Sequence, residues 1–164
     1  MYIWSPSINV DSIWLLVKKY IKEEMKVNTG KEQVLFEDFH SEDLMKVIET
    51  QHRITEYSKE HKLKSTTILI VLDDIADDPK IARYSNIFDS LYVRGRHNGI
   101  SVITSVHKFN ALTTLIRVNA THLFCYKVSN FKEIELFQKE LSAIPRRKET
   151  ISKKVSRSYI NFMK

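Results

Sequence analysis

The chain has 164 residues, of which 43% are hydrophobic and 28% are charged, and its net charge is +6. This length and composition allow one buried core and exclude a disordered polypeptide. The positive charge weakly favours polyanionic partners. Its single cysteine, Cys125, excludes an internal disulfide and fits a reducing compartment. The longest apolar runs are too short to span a bilayer, and the first residues lack the basic start and long apolar run of a secretory signal.

Apolar and amphipathic segments alternate along the first 60 residues. We predict a strand at residues 2–4, because this aromatic run is broken at once by Ser5-Pro6-Ser7. A helix capped by Asp11 or Ser12 should follow, then a short strand at residues 33–36 and a second helix capped at Ser41. The predicted buried faces are Ile13, Leu16, Val17, Tyr20 and Ile21 in the first helix and Leu44, Val47, Ile48, Ile54 and Tyr57 in the second.

The central segment is an unbroken apolar run at residues 68–72, which is typical of a strand buried on both faces of a parallel sheet. Asp73 and Asp74 follow it directly, at the carboxyl end where open α/β sheets bind their ligands. Two adjacent carboxylates there are tolerable when a cation or a water lies between them and a phosphate. Nucleoside triphosphatases use this Walker B arrangement, whereas the simpler interpretation is an Asp-rich turn.

The second half continues the alternation of helices and strands. We predict helices at residues 81–92, 110–119 and 130–141 and strands at 100–106 and 122–128. The first of these helices should turn Ile87, Phe88 and Leu91 inward, and Cys125 should be a core thiol in the last strand. Residues 1–142 would then form the core domain and 143–164 a basic C-terminal extension, in which residues 159–163 suit a short strand or turn.

Strands that alternate with helices imply a parallel sheet covered by helices on both faces. All strand carboxyl ends then meet at one edge. We therefore expect Ser5, Asp73, Asp74 and His107 to lie together at that edge.

Several stretches resemble the poxvirus-type genome-packaging ATPases of large DNA viruses and Polinton-like elements, in the FtsK/HerA branch of P-loop ATPases. The similarity covers most of residues 2–141, and the spacing between the Asp pair and Arg-Gly-Arg-His is its most specific part. The matching stretches are Tyr-Ile-Trp-Ser-Pro-Ser-Ile (2–8), Asp-Ser-Ile-Trp (11–14), Gln-His-Arg-Ile-Thr-Glu-Tyr (51–57), Ile-Leu-Ile-Val-Leu-Asp-Asp (68–74), Leu-Tyr-Val-Arg-Gly-Arg-His-Asn-Gly-Ile-Ser-Val-Ile (91–103) and Ile-Arg-Val-Asn-Ala-Thr (116–121).

The resemblance implies a three-layer P-loop NTPase-like fold and a ring subunit that pumps double-stranded DNA into a capsid with ATP and Mg²⁺. Its other implied partners are further copies of the chain and viral capsid proteins, with no membrane, in the host cytoplasm or nucleus, a viral factory or the virion. Asp73 matches the Walker B metal acid and Asp74 the catalytic acid. Arg94 and Arg96 match an arginine pair, and Arg117 matches a second arginine after the polar sensor strand.

The sequence departs from the family pattern in two respects. The Walker A loop, Gly-x-x-x-x-Gly-Lys-Ser/Thr, and its strand normally precede the strand at residues 2–4, so we expect an incomplete fold with unpaired edges near the sensor strand. Gly30-Lys31 is a false match, because it follows a helix and precedes Glu32. His107 stands where the family usually has a glutamine sensor.

Loss of the phosphate-binding loop should remove most catalysis, so the chain alone should be inactive. Two alternatives stay open: a catalytically dead binding module or endogenised viral remnant, and a basic DNA-binding domain without a nucleotide role. Structural roles also stay open for the individual side chains: shielding of helix and strand ends for Arg94 and Arg96, a salt bridge for Arg117 and a strand-end cap for His107.

Overall fold

A computed structural model of the chain describes residues 1–74, 85–125 and 130–143. The chain forms two compact units, Met1–Phe124 and Cys125–Lys164. The first unit contains the sheet and its helices, and the described part of the second contains one helix. Among the described residues, no helix has both the length and the apolar character needed to cross a membrane. The predicted functional division at residue 142 stays a prediction.

The first unit is built on a four-stranded sheet in which every pair of neighbours is parallel. Its strands are β1 (Tyr2–Trp4), β2 (Leu35–Phe36), β3 (Ile68–Asp73) and β4 (Ile100–Ser105), in the spatial order β2-β1-β3-β4. This confirms the predicted mainly parallel α/β fold, which is consistent with a P-loop NTPase-like domain. The apolar run of β3 lies in the middle of the sheet because only there are both faces covered.

Helices cover both faces of the sheet, as the alternating segments predicted. The helices of the first unit are α1 (Ile13–Glu23), α2 (Ser41–Glu60), α3 (Ser85–Arg94) and α4 (Thr114–Asn119), with 3₁₀ turns at Gly95–Asn98 and Phe109–Ala111. One face packs against α2, α3 and α4, in a cluster that includes Trp4, Leu72, Leu44, Phe88 and Ile116. The other packs against α1, in a cluster of Ile3, Ile8, Ile21 and Val34 with Trp14 and Val17 beside it.

The buried faces of the first two helices match the predicted ones in part, since Val17 and Ile21 of α1 and Leu44, Val47 and Ile48 of α2 pack against the core. In α1, Ile13, Leu16 and Tyr20 are exposed, and the sheet is contacted by the stripe Trp14, Val17 and Ile21. In α2, Ile54 and Tyr57 are exposed, and the polar side chains of Gln51, Thr55 and Ser58 are buried instead. Asp11 accepts a hydrogen bond from the Ile13 N–H (3.0 Å), as predicted for a helix start, whereas His40 rather than Ser41 occupies the N-cap of α2.

The segments after β4 also differ in part from prediction. The helix expected at 110–119 is split into the second 3₁₀ turn and α4, and Thr113 caps α4 by accepting from the Ile116 N–H (3.2 Å). The strand expected at 122–128 is wrong for residues 122–125, which are exposed and unpaired with any described strand; residues 126–129 lie outside the described part. Cys125 is exposed rather than a core thiol.

The helix predicted at residues 130–141 is confirmed as α5 (Phe131–Ala143). Asn130 Oδ1 accepts from the Lys132 N–H at 3.0 Å, which satisfies one free donor of the first turn. The predicted start of the third helix at residues 81–84 and the basic extension after residue 143 lie outside the described residues.

Candidate active site at the carboxyl edge of the sheet

Three neighbouring strands end together at one edge of the sheet. The register pairs Trp4 with Leu72 and Asp73 with Ser105, so Ser5 lies beside Asp73 and the residues after β4 lie beside Asp74. Ser5 Oγ donates to Asp73 Oδ2 at 2.8 Å, and His107 Nε2 lies 3.0 Å from Asp74 Oδ1. The predicted juxtaposition of these four side chains is confirmed, while their chemical roles stay predictions.

Asp73 is the last residue of β3 and is half-buried. Its Oδ2 atom accepts the hydrogen bond from Ser5, whose side chain is completely buried. The structure gives Asp73 Oδ1 no partner among the described residues. One of the two carboxylate oxygens of Asp73 is therefore held by the fold.

Asp74 turns the chain out of the strand with a left-handed backbone, φ 54°. Aspartate tolerates this conformation better than most residues, yet it still costs free energy, and such strain is concentrated at functional positions. The Asp74 N–H continues the ladder by donating to the Ser105 carbonyl oxygen (3.2 Å). Its Oδ1 atom is shielded from solvent and within ion-pair distance of His107 but accepts no hydrogen bond from any described residue. Asp74 and His107 are therefore held next to each other at this edge.

The donors at this edge fit one class of cation site. Among the residues that the structure describes, no group of three or more His, Cys, Asp or Glu side chains could enclose a metal ion. Mg²⁺ is commonly bound by one or two carboxylates together with waters and substrate phosphates. The adjacent carboxylates of Asp73 and Asp74 fit such a shared site, and the described residues offer no all-protein cage around them.

Arg94 and Arg96 lie at the other edge of the sheet. Arg94 ends α3 and Arg96 lies in the 3₁₀ turn that precedes β4, and both are exposed. Arg96 lines a basic cleft of about 530 Å³ that also contains Lys59, Lys62 and His97. The arginines are thus separated from the carboxylates of the same chain by the length of β4.

The turn that carries Arg96 is fixed by the polar face of α2. Gln51 Nε2 donates to the backbone carbonyl oxygens of Thr66 (2.7 Å) and Asn98 (2.9 Å), and Thr55 Oγ1 also donates to Asn98 (3.0 Å). Sequence reasoning missed this role because it sought apolar residues on α2. The spacing of Gln51 and Thr55, four residues apart on one helical face, was the available signal.

Arg117 and Gly30-Lys31 lie in other settings. The Arg117 guanidinium donates to the Leu112 carbonyl oxygen and to Thr114 Oγ1 (3.2 Å), and it lies 5.0 Å from the centre of the Phe109 ring. These contacts stabilise the start of α4, and a catalytic role for Arg117 stays a prediction. Gly30-Lys31 forms a turn between α1 and the amino end of β2, so it is at the edge opposite the Asp pair.

Comparison with known proteins adds one match. A family model described as Poxvirus A32 protein matches residues 18–160, a range that contains Asp73, Asp74, Arg94, Arg96, His107 and Arg117. Neither the curated proteins nor the solved structures gave a match. The family model covers well over half of the chain and agrees with the acidic pair at the end of β3. The chain therefore belongs to the poxvirus A32 protein family, a family of viral genome-packaging ATPases.

Proposed function

We propose that the chain supplies the acidic residues and the sensor residue of the nucleotide site in an ATP-driven motor that packages viral double-stranded DNA. The observation behind this proposal is the meeting of Asp73, Asp74 and His107 at the carboxyl edge of β3 and β4. Family membership supports the same conclusion, because it implies the use of ATP and Mg²⁺ in general.

In this proposal Asp73 is the metal acid. Asp73 would hold Mg²⁺, and the cation would supply neutralisation of the phosphate charge. Asp73 offers one oxygen to the cation because Ser5 already occupies the other. The hydrogen bond from Ser5 also fixes the carboxylate, so little conformational entropy is lost on binding.

Asp74 is the proposed catalytic acid, which orients the attacking water and accepts its proton. Its left-handed backbone sets the carboxylate at the edge. His107 Nε2 lies 3.0 Å from Asp74 Oδ1. We assign His107 the sensor role, in which the ring contacts the terminal phosphate or holds Asp74 in place.

Arg94 and Arg96 are proposed to act on the nucleotide of a neighbouring copy in a ring, since they cannot reach Asp74 of their own chain. Arginine stabilises the charge of a transferring phosphoryl group in this manner. Arg117 is proposed as a further arginine of the site, following the sensor strand. Ring neighbours, double-stranded DNA and capsid proteins are the proposed partners, in the host cytoplasm or nucleus, the viral factory or the virion.

The 164 residues contain no Gly-x-x-x-x-Gly-Lys-Ser/Thr sequence. Backbone N–H groups and a lysine from such a loop normally hold the β- and γ-phosphates. We therefore propose that this polypeptide by itself hydrolyses ATP slowly or not at all, and that efficient hydrolysis requires the loop from a longer product of the same gene or from another chain.

The test combines a genomic sequence with a rate measurement. If an in-frame segment upstream of the Met1 codon encodes the phosphate-binding loop, the longer protein should hydrolyse ATP in Mg²⁺. Asp74→Asn should then lower kcat by about 10²–10⁴-fold, as expected for a lost proton acceptor. Efficient hydrolysis by the 164-residue chain, abolished by Asp74→Asn, would refute the proposed dependence on the loop. Full activity of the Asp74→Asn variant would refute the catalytic role.

The basic cleft supports a second candidate, a DNA-binding domain with no nucleotide role. Lys59, Lys62 and Arg96 line this cleft, and such side chains bind phosphate backbones in a salt-dependent manner. DNA affinity that is equal with and without ATP and Mg²⁺, and that falls steeply with salt, would favour this candidate. Affinity that depends on the nucleotide would favour the motor.

A further inference from the structure

A chain of three hydrogen bonds connects helix α1 with the carboxylate of Asp73. Trp14 Nε1 donates to Ser7 Oγ at 3.1 Å, the hydroxyl oxygens of Ser7 and Ser5 lie 3.1 Å apart, and Ser5 Oγ donates to Asp73 Oδ2 at 2.8 Å. The two ends of this chain differ chemically. An indole N–H can only donate, and an ionised carboxylate can only accept.

These ends fix the direction of every bond between them. The single proton of the Ser5 hydroxyl is used on Asp73, so Ser7 has to donate to Ser5. Ser7 Oγ then accepts from Trp14. All three protons therefore point towards Asp73, and bonds aligned in this manner polarise and strengthen one another.

The residues of this hydrogen-bond chain are held in place by burial and by backbone hydrogen bonds. Ser5 is completely buried, and Ser7 and Trp14 are partly buried beside the cluster of Ile3 and Ile8. The turn between β1 and α1 is closed by backbone bonds from Ile8 to Ser5 (3.1 Å) and from Asp11 to Ser7 (2.9 Å). The hydroxyl groups consequently have little freedom to choose other partners.

We propose that Ser5, supported by Ser7 and Trp14, is a positioning residue for the metal acid Asp73. The three residues hold one carboxylate oxygen in a fixed place, so that the other oxygen faces the cation. This inference rests on the proposed metal role of Asp73. All three supporting residues precede residue 18, so they lie outside the range that the family model matches.

The indole N–H signals in a nitrogen–proton correlation NMR spectrum provide the test, because the chain has two tryptophans in different settings. Trp14 is in the hydrogen-bond chain, whereas Trp4 stacks on Phe36 at 4.5 Å and its buried Nε1 has no partner among the described residues. The measurement uses the 164-residue protein with Mg²⁺ alone as the titrant. Trp4 is the internal control.

We expect Mg²⁺ to shift the Trp14 indole signal and to leave that of Trp4 in place. Asp73→Asn should shift the Trp14 signal without any metal and should abolish the response to Mg²⁺. Ser5→Ala should weaken Mg²⁺ binding, followed at the Asp74 backbone amide, by about tenfold, because partners that hold a metal ligand affect affinity by about 10–100-fold. Since Ser5 is buried and its replacement could affect folding, Ser7→Ala is the second variant; it should keep the fold and lose the Trp14 response.

Two results would overturn the proposal. One is a Trp14 signal that responds neither to Mg²⁺ nor to Asp73→Asn. The other is Mg²⁺ affinity in folded Ser5→Ala equal to that of the unmodified chain. Equal Mg²⁺ affinity in Asp73→Asn would instead refute the metal role in the proposed function. The hydrogen-bond chain would then still be judged by the metal-free shift of Trp14 in that variant.

Discussion

Arg96 and Asp74 lie at opposite edges of the same sheet, one before β4 begins and the other after β3 ends. Both strands have six residues, so the two side chains are separated by about 20 Å at the rise of a parallel strand. No rotamer of an arginine side chain spans that distance. This separation supports the proposal that the two groups act on one nucleotide from different copies of the chain.

This separation predicts complementation between inactive variants in an ATP-hydrolysing preparation of the protein. Asp74→Asn and Arg96→Ala should each lower kcat strongly, the latter by about 10³-fold or more if Arg96 stabilises the transferring phosphoryl group. An equal mixture should regain activity, because some interfaces then combine an intact Asp74 with an intact Arg96. Arg53→Ala, at an exposed position of α2, is the matched control and should stay active. A mixture no more active than its components would contradict action between copies.

Gln51→Leu should destabilise the fold by about 1–3 kcal/mol, because the Thr66 carbonyl oxygen loses the donor that Gln51 supplies and the Asn98 carbonyl oxygen keeps only the one from Thr55. Gln51 is almost completely buried, so relaxation of the site is limited. Chemical denaturation followed by circular dichroism measures the change. The matched control on the same helix is Glu49→Gln, which is exposed and should change stability by less than about 0.5 kcal/mol. Equal midpoints for the two variants would show that the Gln51 contacts contribute nothing.

Gly99→Ala should cost about 1–3 kcal/mol through backbone strain and contact. The backbone of Gly99 is left-handed (φ 67°), and a methyl group there would lie 2.9 Å from the Thr66 carbonyl oxygen. Gly30→Ala is the comparison variant, because its methyl group would lie 3.4 Å from the end of the Asn28 side chain, at a backbone that is not left-handed. We expect thermal unfolding to separate the two variants clearly. A Gly99→Ala protein as stable as Gly30→Ala would refute this account of the turn before β4.

The edge that unites Asp73, Asp74 and His107 could be predicted from the sequence because it depends on two local signals. An unbroken apolar run marks a central parallel strand, and parallel strands that are joined by helices end at the same edge. Neither signal needs knowledge of side-chain packing. The same logic located β4 to within one residue of its observed end.

The faces of α1 and α2 could not be predicted in the same manner. Apolar side chains such as Leu16 and Ile54 match a helical period equally well whether they face the sheet or solvent. Gln51 is buried because two loops present carbonyl oxygens to it, and those loops meet only in the folded chain. Residues 122–125 likewise have a strand-like composition, but a strand also needs a neighbour with which to pair, and the described sheet offers none there.

Stability at high pH should depend on the contact between Tyr2 and Glu32. Burial, then the hydrogen bond that the Tyr2 hydroxyl donates to Glu32 and the charge of that carboxylate, raise the pKa of Tyr2 to about 12 from its ordinary value near 10. Between these two values the folded chain keeps a phenol proton that the unfolded chain has lost. The contribution of Tyr2 is therefore fully present below pH 10 and is lost as the pH rises through about 12.

Glu32→Gln should lower the pKa of Tyr2 towards its ordinary value, because it removes the negative charge and weakens the hydrogen bond while burial remains. Spectroscopic titration of the phenol against Tyr2→Phe gives the pKa, and denaturation at pH 8 and pH 11 gives the stability. The loss of stability between these pH values should be smaller in Glu32→Gln than in the unmodified chain. Glu37→Gln, which removes an acid that bonds Asn9 (2.8 Å) rather than a tyrosine, should leave the pH dependence unchanged. An unmodified chain whose stability rises between pH 8 and pH 11 relative to Tyr2→Phe would contradict the sign of this prediction.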